Sequence, residues 1–115
     1  MRPESGDAAR LWDMLEACRR VERYTRDRTL DQFLIDDYFR SAVERQIEII
    51  GEAARGVSQQ FRDAHPDVPW RPIIAQRHVL AHEYGEVEPP LIWRVATEHV
   101  PRLASQLRTL LDAPG

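Results

Sequence analysis

Apolar residues recur at every third or fourth position along most of this chain, and that spacing constrains its fold more than any other feature. The clearest case is segment 37–58, whose apolar stripe consists of Phe39, Val43, Ile47, Ile50, Ala54 and Val57. Because an α-helix turns once per about 3.6 residues, such a stripe lies on one helix face. Segments 8–27 and 91–112 show the same spacing, and no segment alternates as a strand does. The pattern predicts an all-α protein.

Start and stop signals divide the chain into four or five helices. Asp7 is a candidate cap for the first helix, and Thr29 with Gln32 has the form of a capping box. The long helix follows from about Asp37 to Ser58. Segment 61–72 is predicted to be a proline-rich loop, after which a helix starts near Pro72 and ends near Gly85.

The last helix, 91–112, should bend at Pro101. Short connections between amphipathic helices predict an antiparallel four- to five-helix bundle. A chain of 115 residues is long enough for one core, so we expect a single domain over 1–115, with 1–7 as a flexible tail. The three tryptophans are expected in or beside the core.

Composition restricts the cellular setting. No apolar run approaches the roughly 18 residues of a membrane span, and the N-terminus lacks the apolar core of a signal peptide. Cys18 is the single cysteine, which fits a reducing compartment. We therefore expect a cytoplasmic protein. The net charge of −3 gives no overall basic footprint for nucleic acid.

A strip of small residues runs beside the main stripe of the long helix. It contains Ile49, Gly51, Ala53 and Gly56. Glycine in a helix interior costs about 1 kcal/mol relative to alanine. The strip therefore indicates close approach by another helix or by a partner chain.

The strongest candidate for a functional site is segment 77–84, which contains Arg77, His78, His82 and Tyr84. On a continuous helix, Arg77 and Tyr84 lie nearly in line, whereas Arg77 and His82 point roughly 140° apart. Arg77 and His82 can meet at one ligand only if the helix loosens near His82, or if a second chain supplies half of the site.

Three interpretations of this segment compete. His78 and His82 have the spacing of a metal pair, but no Glu stands in the zincin position between them, and no Cys or second His pair completes four ligands. Histidines can also bond the last carbonyl groups of a helix. The third interpretation is acid–base chemistry at a phosphate, because arginine binds phosphate oxygens and histidine transfers protons near neutral pH. Those two groups are enough to cleave RNA with no metal and no cofactor.

Arg77, His82 and Tyr84 stand in the order Arg-x4-His-x-Tyr, which resembles the signature of HepT-like toxins in the HEPN ribonuclease superfamily. The resemblance extends along the chain in order: Ile49–Ala54 resembles the long-helix motif, His65–Trp70 the loop before the signature, and Ile92-Trp93 the start of the last helix. It implies an all-α homodimer in which the signatures of two protomers form one cleft.

The resemblance further implies roles for individual residues. Arg77 and His82 would be the catalytic residues of a metal-independent endoribonuclease, and the protein would be the toxin of a type VII-like toxin–antitoxin system. Tyr84 would be the hydroxyl that an MntA-like minimal nucleotidyltransferase antitoxin modifies with AMP. His78 stands where family members often have a small polar residue, and is a candidate auxiliary residue. The alternative function is a non-catalytic helical binding module that partners the nucleotidyltransferase.

Overall fold

The computed structural model describes residues 4–82 and 88–112, with the backbone alone for residues 77–82. Its elements, in chain order, are the helices α1 (Ser5–Thr25), α2 (Leu30–Ile35), α3 (Asp37–Arg55), α4 (Gln59–Ala64), α5 (Trp70–His82) and α6 (Pro89–Arg94), a π-helical turn (Val95–His99), and the helix α7 (Val100–Leu111). No strand occurs within these described ranges. The predicted all-α helical bundle is confirmed.

The core lies between the longer helices. Helix α1 packs against α3 and α7, and α3 also packs against α5. The six residues of the apolar stripe on and just after α3 are all buried, as their spacing predicts. They share one core cluster with the buried residues of α1 and α7, which are Leu11, Met14, Leu15, Ala17, Cys18, Val21, Val100, Leu103, Ala104, Leu107 and Leu110.

The capping box before α2 is present as predicted. The hydroxyl of Thr29 accepts a hydrogen bond from the backbone amide of Gln32 at 3.2 Å, and the Gln32 side chain accepts one from the Thr29 amide at 2.9 Å. Asp36 caps α3 by accepting from the Phe39 amide at 3.0 Å. These two caps fix the starts of α2 and α3 from local sequence alone.

The predicted cap of α1 by Asp7 is wrong. Helix α1 begins at Ser5, two residues before Asp7, and its cap residue Glu4 makes no side-chain cap hydrogen bond. Asp7 instead accepts hydrogen bonds from the backbone amide and the hydroxyl of Ser58, at 2.8 and 2.7 Å. The Ser58 hydroxyl in turn accepts from the Phe61 amide at 3.1 Å and so caps α4. Asp7 therefore joins α1 to the start of α4.

The predicted loop at 61–72 is also partly wrong. Helix α3 ends at Arg55, with Gly56 as its C-cap, and Ser58 starts the short helix α4. Phe61 belongs to that helix and is buried. The irregular connection is shorter than predicted, covering residues 65–69, and Pro72 stands in the first turn of α5 as expected.

The last helical segment is interrupted close to Pro101, as the sequence predicts, but by a π-helical turn. The amide of Val100 donates to the carbonyl of Val95, five residues back. Proline has no amide hydrogen, so an α-helical ladder cannot continue through Pro101 without loss of one hydrogen bond. The wider turn leaves His99 exposed and Val100 buried.

Two tryptophans meet the prediction and one does not. Trp70 is buried, and the ring of Trp93 lies 5.2 Å from that of Phe33, measured between centroids. Trp12 remains 47% exposed on α1, where the guanidinium of Arg19 lies 5.7 Å from its ring. Arginine stacking of this kind shields an indole in part without burying it.

The small-residue strip is explained in part by the single chain. Gly51 and Ala53 are buried within it, so neighbouring helices of the same chain already approach α3 closely there. Gly56 is exposed, and a Cβ atom built on it would lie 2.7 Å from Nε of Arg10. None of the helices in the described ranges is long and apolar enough to cross a membrane.

Candidate functional site

The helix that carries the candidate residues, α5, is held firmly at its start. The indole nitrogen of Trp70 donates a hydrogen bond to the carbonyl of His65 at 2.9 Å. The side chain of Gln106, on α7, donates to the carbonyl of Asp67 at 3.0 Å. Val68 between them is buried. The connection 65–69 is therefore tied both to the first residue of α5 and to the last helix.

Aromatic contacts reinforce this anchor. The Phe61 ring lies 4.4 Å from the imidazole of His65 and 6.5 Å from the ring of Trp70, between centroids. Nε2 of His65 is buried with no hydrogen-bond partner among the described residues. This histidine is therefore packed as part of the anchor.

The predicted catalytic residues lie on the last turns of α5. Arg77, His78 and His82 are all within the helix Trp70–His82, which continues without a break. The structure describes only the backbone of these three residues, and Tyr84 lies outside the described residues. Their placement on one helix agrees with the spacing, whereas the contacts of their side chains stay a prediction.

The unbroken helix bears on how Arg77 and His82 can act together. Five residues of regular α-helix turn through about 500°, which leaves the two positions roughly 140° apart. The sequence left two ways for them to converge, a loosened helix or a second chain. Because α5 is helical through His82, no loosening occurs between the two residues.

Metal and thiol chemistry find no support in the described part of the chain. Residues 4–76 and 88–112 contain no group of three His, Cys, Asp or Glu side chains placed to hold a metal ion. Cys18 is fully buried, and this burial raises the pKa of its thiol to about 12. A thiol in that state is not a nucleophile at neutral pH.

The carboxylates of α3 have structural explanations. Glu48 forms an ion pair with Arg45 at 3.8 Å, and its side chain is partly buried. Partial burial raises the pKa of Glu44, with Glu48 adding to the rise and Arg40 opposing it.

A groove beside α5 was not predicted from the sequence. It has a volume of about 420 Å³ and lies between α3, α5, the π turn and α7. The residues that line it are, by helix, Ile47 and Ile50 on α3, Pro69, Pro72, Ile73 and Gln76 on or just before α5, and Val95, His99, Val100, Arg102, Leu103 and Gln106 on the last segment. They come from three separate parts of the chain, so no local motif could reveal the groove.

Comparison with known proteins identifies the family of this chain. The family model described as "Ribonuclease HepT-like" matches residues 14–110, which is most of the chain. The chain belongs to the HepT-like ribonuclease family. This confirms the resemblance found in the sequence, and with it the prediction of an endoribonuclease.

Individual members of the HepT-like family cover nearly the same span. A protein of Methanocaldococcus jannaschii named as an RNase is 35% identical over 97 residues, which are 84% of this chain and 89% of that protein. A protein of Thermococcus cleftensis named as a ribonuclease HepT is 35% identical over 100 residues, 87% of this chain and 91% of the other. No solved structure is significantly similar to this chain.

Proposed function

We propose that this HepT-like protein is the toxin of a toxin–antitoxin system and a metal-independent endoribonuclease, with Arg77 and His82 as its catalytic residues. The observation that supports a joint role of Arg77 and His82 is the unbroken helix α5, which carries both residues. The chain also belongs to a family of ribonucleases. Arginine and histidine are the two side chains that phosphate transfer to an internal hydroxyl requires.

In the proposed reaction, neutral His82 removes the proton from a ribose 2′-hydroxyl. The 2′-oxygen attacks the adjacent phosphorus, and the bond from phosphorus to the 5′-oxygen breaks. That oxygen leaves with a proton, and the products are a 2′,3′-cyclic phosphate and a 5′-hydroxyl end. Arg77 stabilises the additional negative charge on the phosphate oxygens during the transfer. His78 is an auxiliary group, one position from Arg77, that supports proton transfer or the placement of the arginine.

The proposed active form is a homodimer with a composite site. Arg77 and His82 stand about 140° apart on one helix, so an RNA phosphate cannot readily contact both residues of the same protomer. Two α5 helices facing each other would bring the Arg77 of one protomer towards the His82 of its partner. One dimer would then hold both groups around a single phosphate.

Tyr84 is the proposed point of control. Transfer of AMP from ATP to its hydroxyl by an MntA-like nucleotidyltransferase would release pyrophosphate and place a bulky anion close to Arg77. That anion would compete with the RNA phosphate for the guanidinium and repel the substrate. The proposed partners are therefore RNA, a second copy of the chain and the antitoxin.

The decisive test is cleavage of total tRNA and mRNA in excess EDTA. Wild-type protein should cut and leave 2′,3′-cyclic phosphate ends, whereas His82→Ala and Arg77→Ala should lose cleavage while circular dichroism shows an intact fold. Arg23→Ala, an exposed arginine on α1, is the charge-matched control and should cut normally. Mass spectrometry must first show that Tyr84 carries no AMP. If unmodified wild type does not cut, the enzyme proposal fails and the helical binding module replaces it.

A further inference from the structure

The groove beside α5 has the size and the lining of a small-molecule site, and the proposed reaction does not use it. Its volume of about 420 Å³ falls in the range of roughly 300–1,000 Å³ that is typical of ligand pockets. Most of its wall is apolar, with the rings of Pro69 and Pro72 and the side chain of Ile73 on the α5 side. A flat, largely apolar group would fit such a surface.

The polar residues that line the groove are positively charged or neutral. His99 and Arg102 line it, and no carboxylate does so among the described residues. Neither residue makes an ion pair with a described residue, and both are exposed. An arginine and an imidazole can stack on a nucleobase or contact the phosphate next to it. The charge therefore favours an anionic occupant such as a nucleotide.

Gln106 adds a fixed hydrogen-bond acceptor. Its nitrogen Nε2 donates to the carbonyl of Asp67 at 3.0 Å, which fixes how the amide is turned. The amide oxygen Oε1 accepts no hydrogen bond from a described residue. An acceptor on the groove wall complements the exocyclic amino group that adenine, cytosine and guanine carry and that uracil lacks.

The groove is continuous with the proposed catalytic helix. Ile73 and Gln76 line it from α5, and Arg77 is the next residue of the same helix, one turn or about 6 Å beyond Ile73 along the axis. The opposite wall contains the π turn, through Val95 and His99. Turns of this kind interrupt α-helices frequently at functional sites.

We propose that this groove binds one unpaired nucleobase of the RNA, next to the phosphate that Arg77 and His82 act upon. The base lies against Pro72 and Ile73, Arg102 contacts its face or its phosphate, and Oε1 of Gln106 accepts from its exocyclic amino group. Single-stranded RNA is commonly recognised through bases turned out of the stack in this way. The inference rests on the proposed function for its RNA ligand, and it adds a base preference to that function.

The test uses short fluorescein-labelled 2′-deoxy oligonucleotides of adenine or of uracil, which lack the attacking hydroxyl and so cannot be cut. Binding is measured by fluorescence anisotropy. Arg102→Ala should weaken binding of the adenine probe about tenfold, the size of one lost base contact. Arg108→Ala, which removes the same charge from an exposed position on α7 outside the groove, should change it less than about twofold.

Gln106→Leu should reduce the preference for adenine over uracil while leaving the uracil affinity nearly unchanged. Val95→Trp fills the groove and should weaken both probes; if it fails to fold, the other two variants still decide. Equal affinities for Arg102→Ala and Arg108→Ala would overturn the groove proposal. So would a Val95→Trp protein that loses wild-type self-association in sedimentation while Arg102→Ala binds normally, because a second copy would then occupy the groove.

The proposed function fails separately. If wild type does not cut RNA but its binding still depends on Arg102 and Gln106, the base site stands and the nuclease proposal falls. If wild type cuts RNA with no base preference that Gln106→Leu alters, the nuclease proposal stands and the base site falls.

Discussion

The contact between Asp7 and Ser58 gives the sharpest test of how α1 supports the start of α4. Asp7 accepts one hydrogen bond from the Ser58 amide and one from its hydroxyl, across 51 positions of sequence. Each such bond contributes a net 0.5–1.5 kcal/mol, roughly, and this pair is exposed, which favours the lower part of the range. We expect Asp7→Ala to lower the free energy of unfolding by about 1–2 kcal/mol.

Ser58→Ala should cost about 1.5 kcal/mol, because it removes the cap of α4 and one of the two bonds to Asp7. The backbone amide of residue 58 still bonds Asp7 in that variant. A double-mutant cycle therefore isolates the hydroxyl–carboxylate bond alone, and its coupling energy should be about 0.5–1 kcal/mol.

Urea denaturation followed by circular dichroism measures all four proteins. Asp13→Ala, another exposed aspartate of α1, is the control and should stay within about 0.5 kcal/mol of wild type. Additive effects of Asp7→Ala and Ser58→Ala, with no coupling, would show that the Ser58 hydroxyl does not bond the Asp7 carboxylate in solution and would refute the reasoning.

Three further variants and one thiol reaction test close packing, charge and burial. Gly51→Leu should destabilise the protein by about 1–3 kcal/mol, because it overpacks the core. Gly56→Ala should change stability by less than about 1 kcal/mol, since the φ of Gly56 is −81° and only the flexible Arg10 side chain is near. Equal losses of stability for the two variants in thermal melts would contradict the assigned burial. The Cys18 thiol should react with a disulfide reagent at pH 8 only after unfolding, and fast labelling of the native protein would show that it is not buried. Glu44→Gln should raise stability at pH 7, because the raised pKa of Glu44 in the folded state makes wild type less stable as pH increases. The gain in stability should disappear below pH 4.5, the ordinary pKa of a glutamate side chain. A gain that persists below that pH would exclude the ionisation of Glu44 as its cause.

The sequence predicted the features that depend on neighbours in the chain. The α3 stripe follows from helical periodicity, and the Thr29–Gln32 box needs only its own backbone. Asp7 was wrongly predicted to cap α1, because a prediction from neighbouring residues assigns it to the nearest helix start. Its actual partner, Ser58, is brought close only by the fold. Trp12 was expected in or beside the core because tryptophan is large and apolar, yet it stays at the surface of α1, where Arg19 lies over its ring.

The candidate site, too, could be predicted from the sequence only in part. The signature Arg77-x4-His82-x-Tyr84 could be found in the sequence because its residues are close together on one segment. The groove could not, because Ile50, Pro72 and Gln106 meet only after three helices have packed.

The π turn before Pro101 has the geometry of an α-helix into which one residue has been inserted. Such a turn advances the chain by an extra residue without ending the helix, so the faces of α6 and α7 are rotated relative to each other by about 100°. If Val95–His99 became ordinary α-helix with the same number of residues, every buried position after it, from Val100 to Leu110, would turn by about 100° away from α1, whereas removal of one residue at the same time would keep those positions in place. The length of this segment is therefore as constrained as its composition, and relatives that lack the turn would need a compensating deletion or a different core on that side of the bundle.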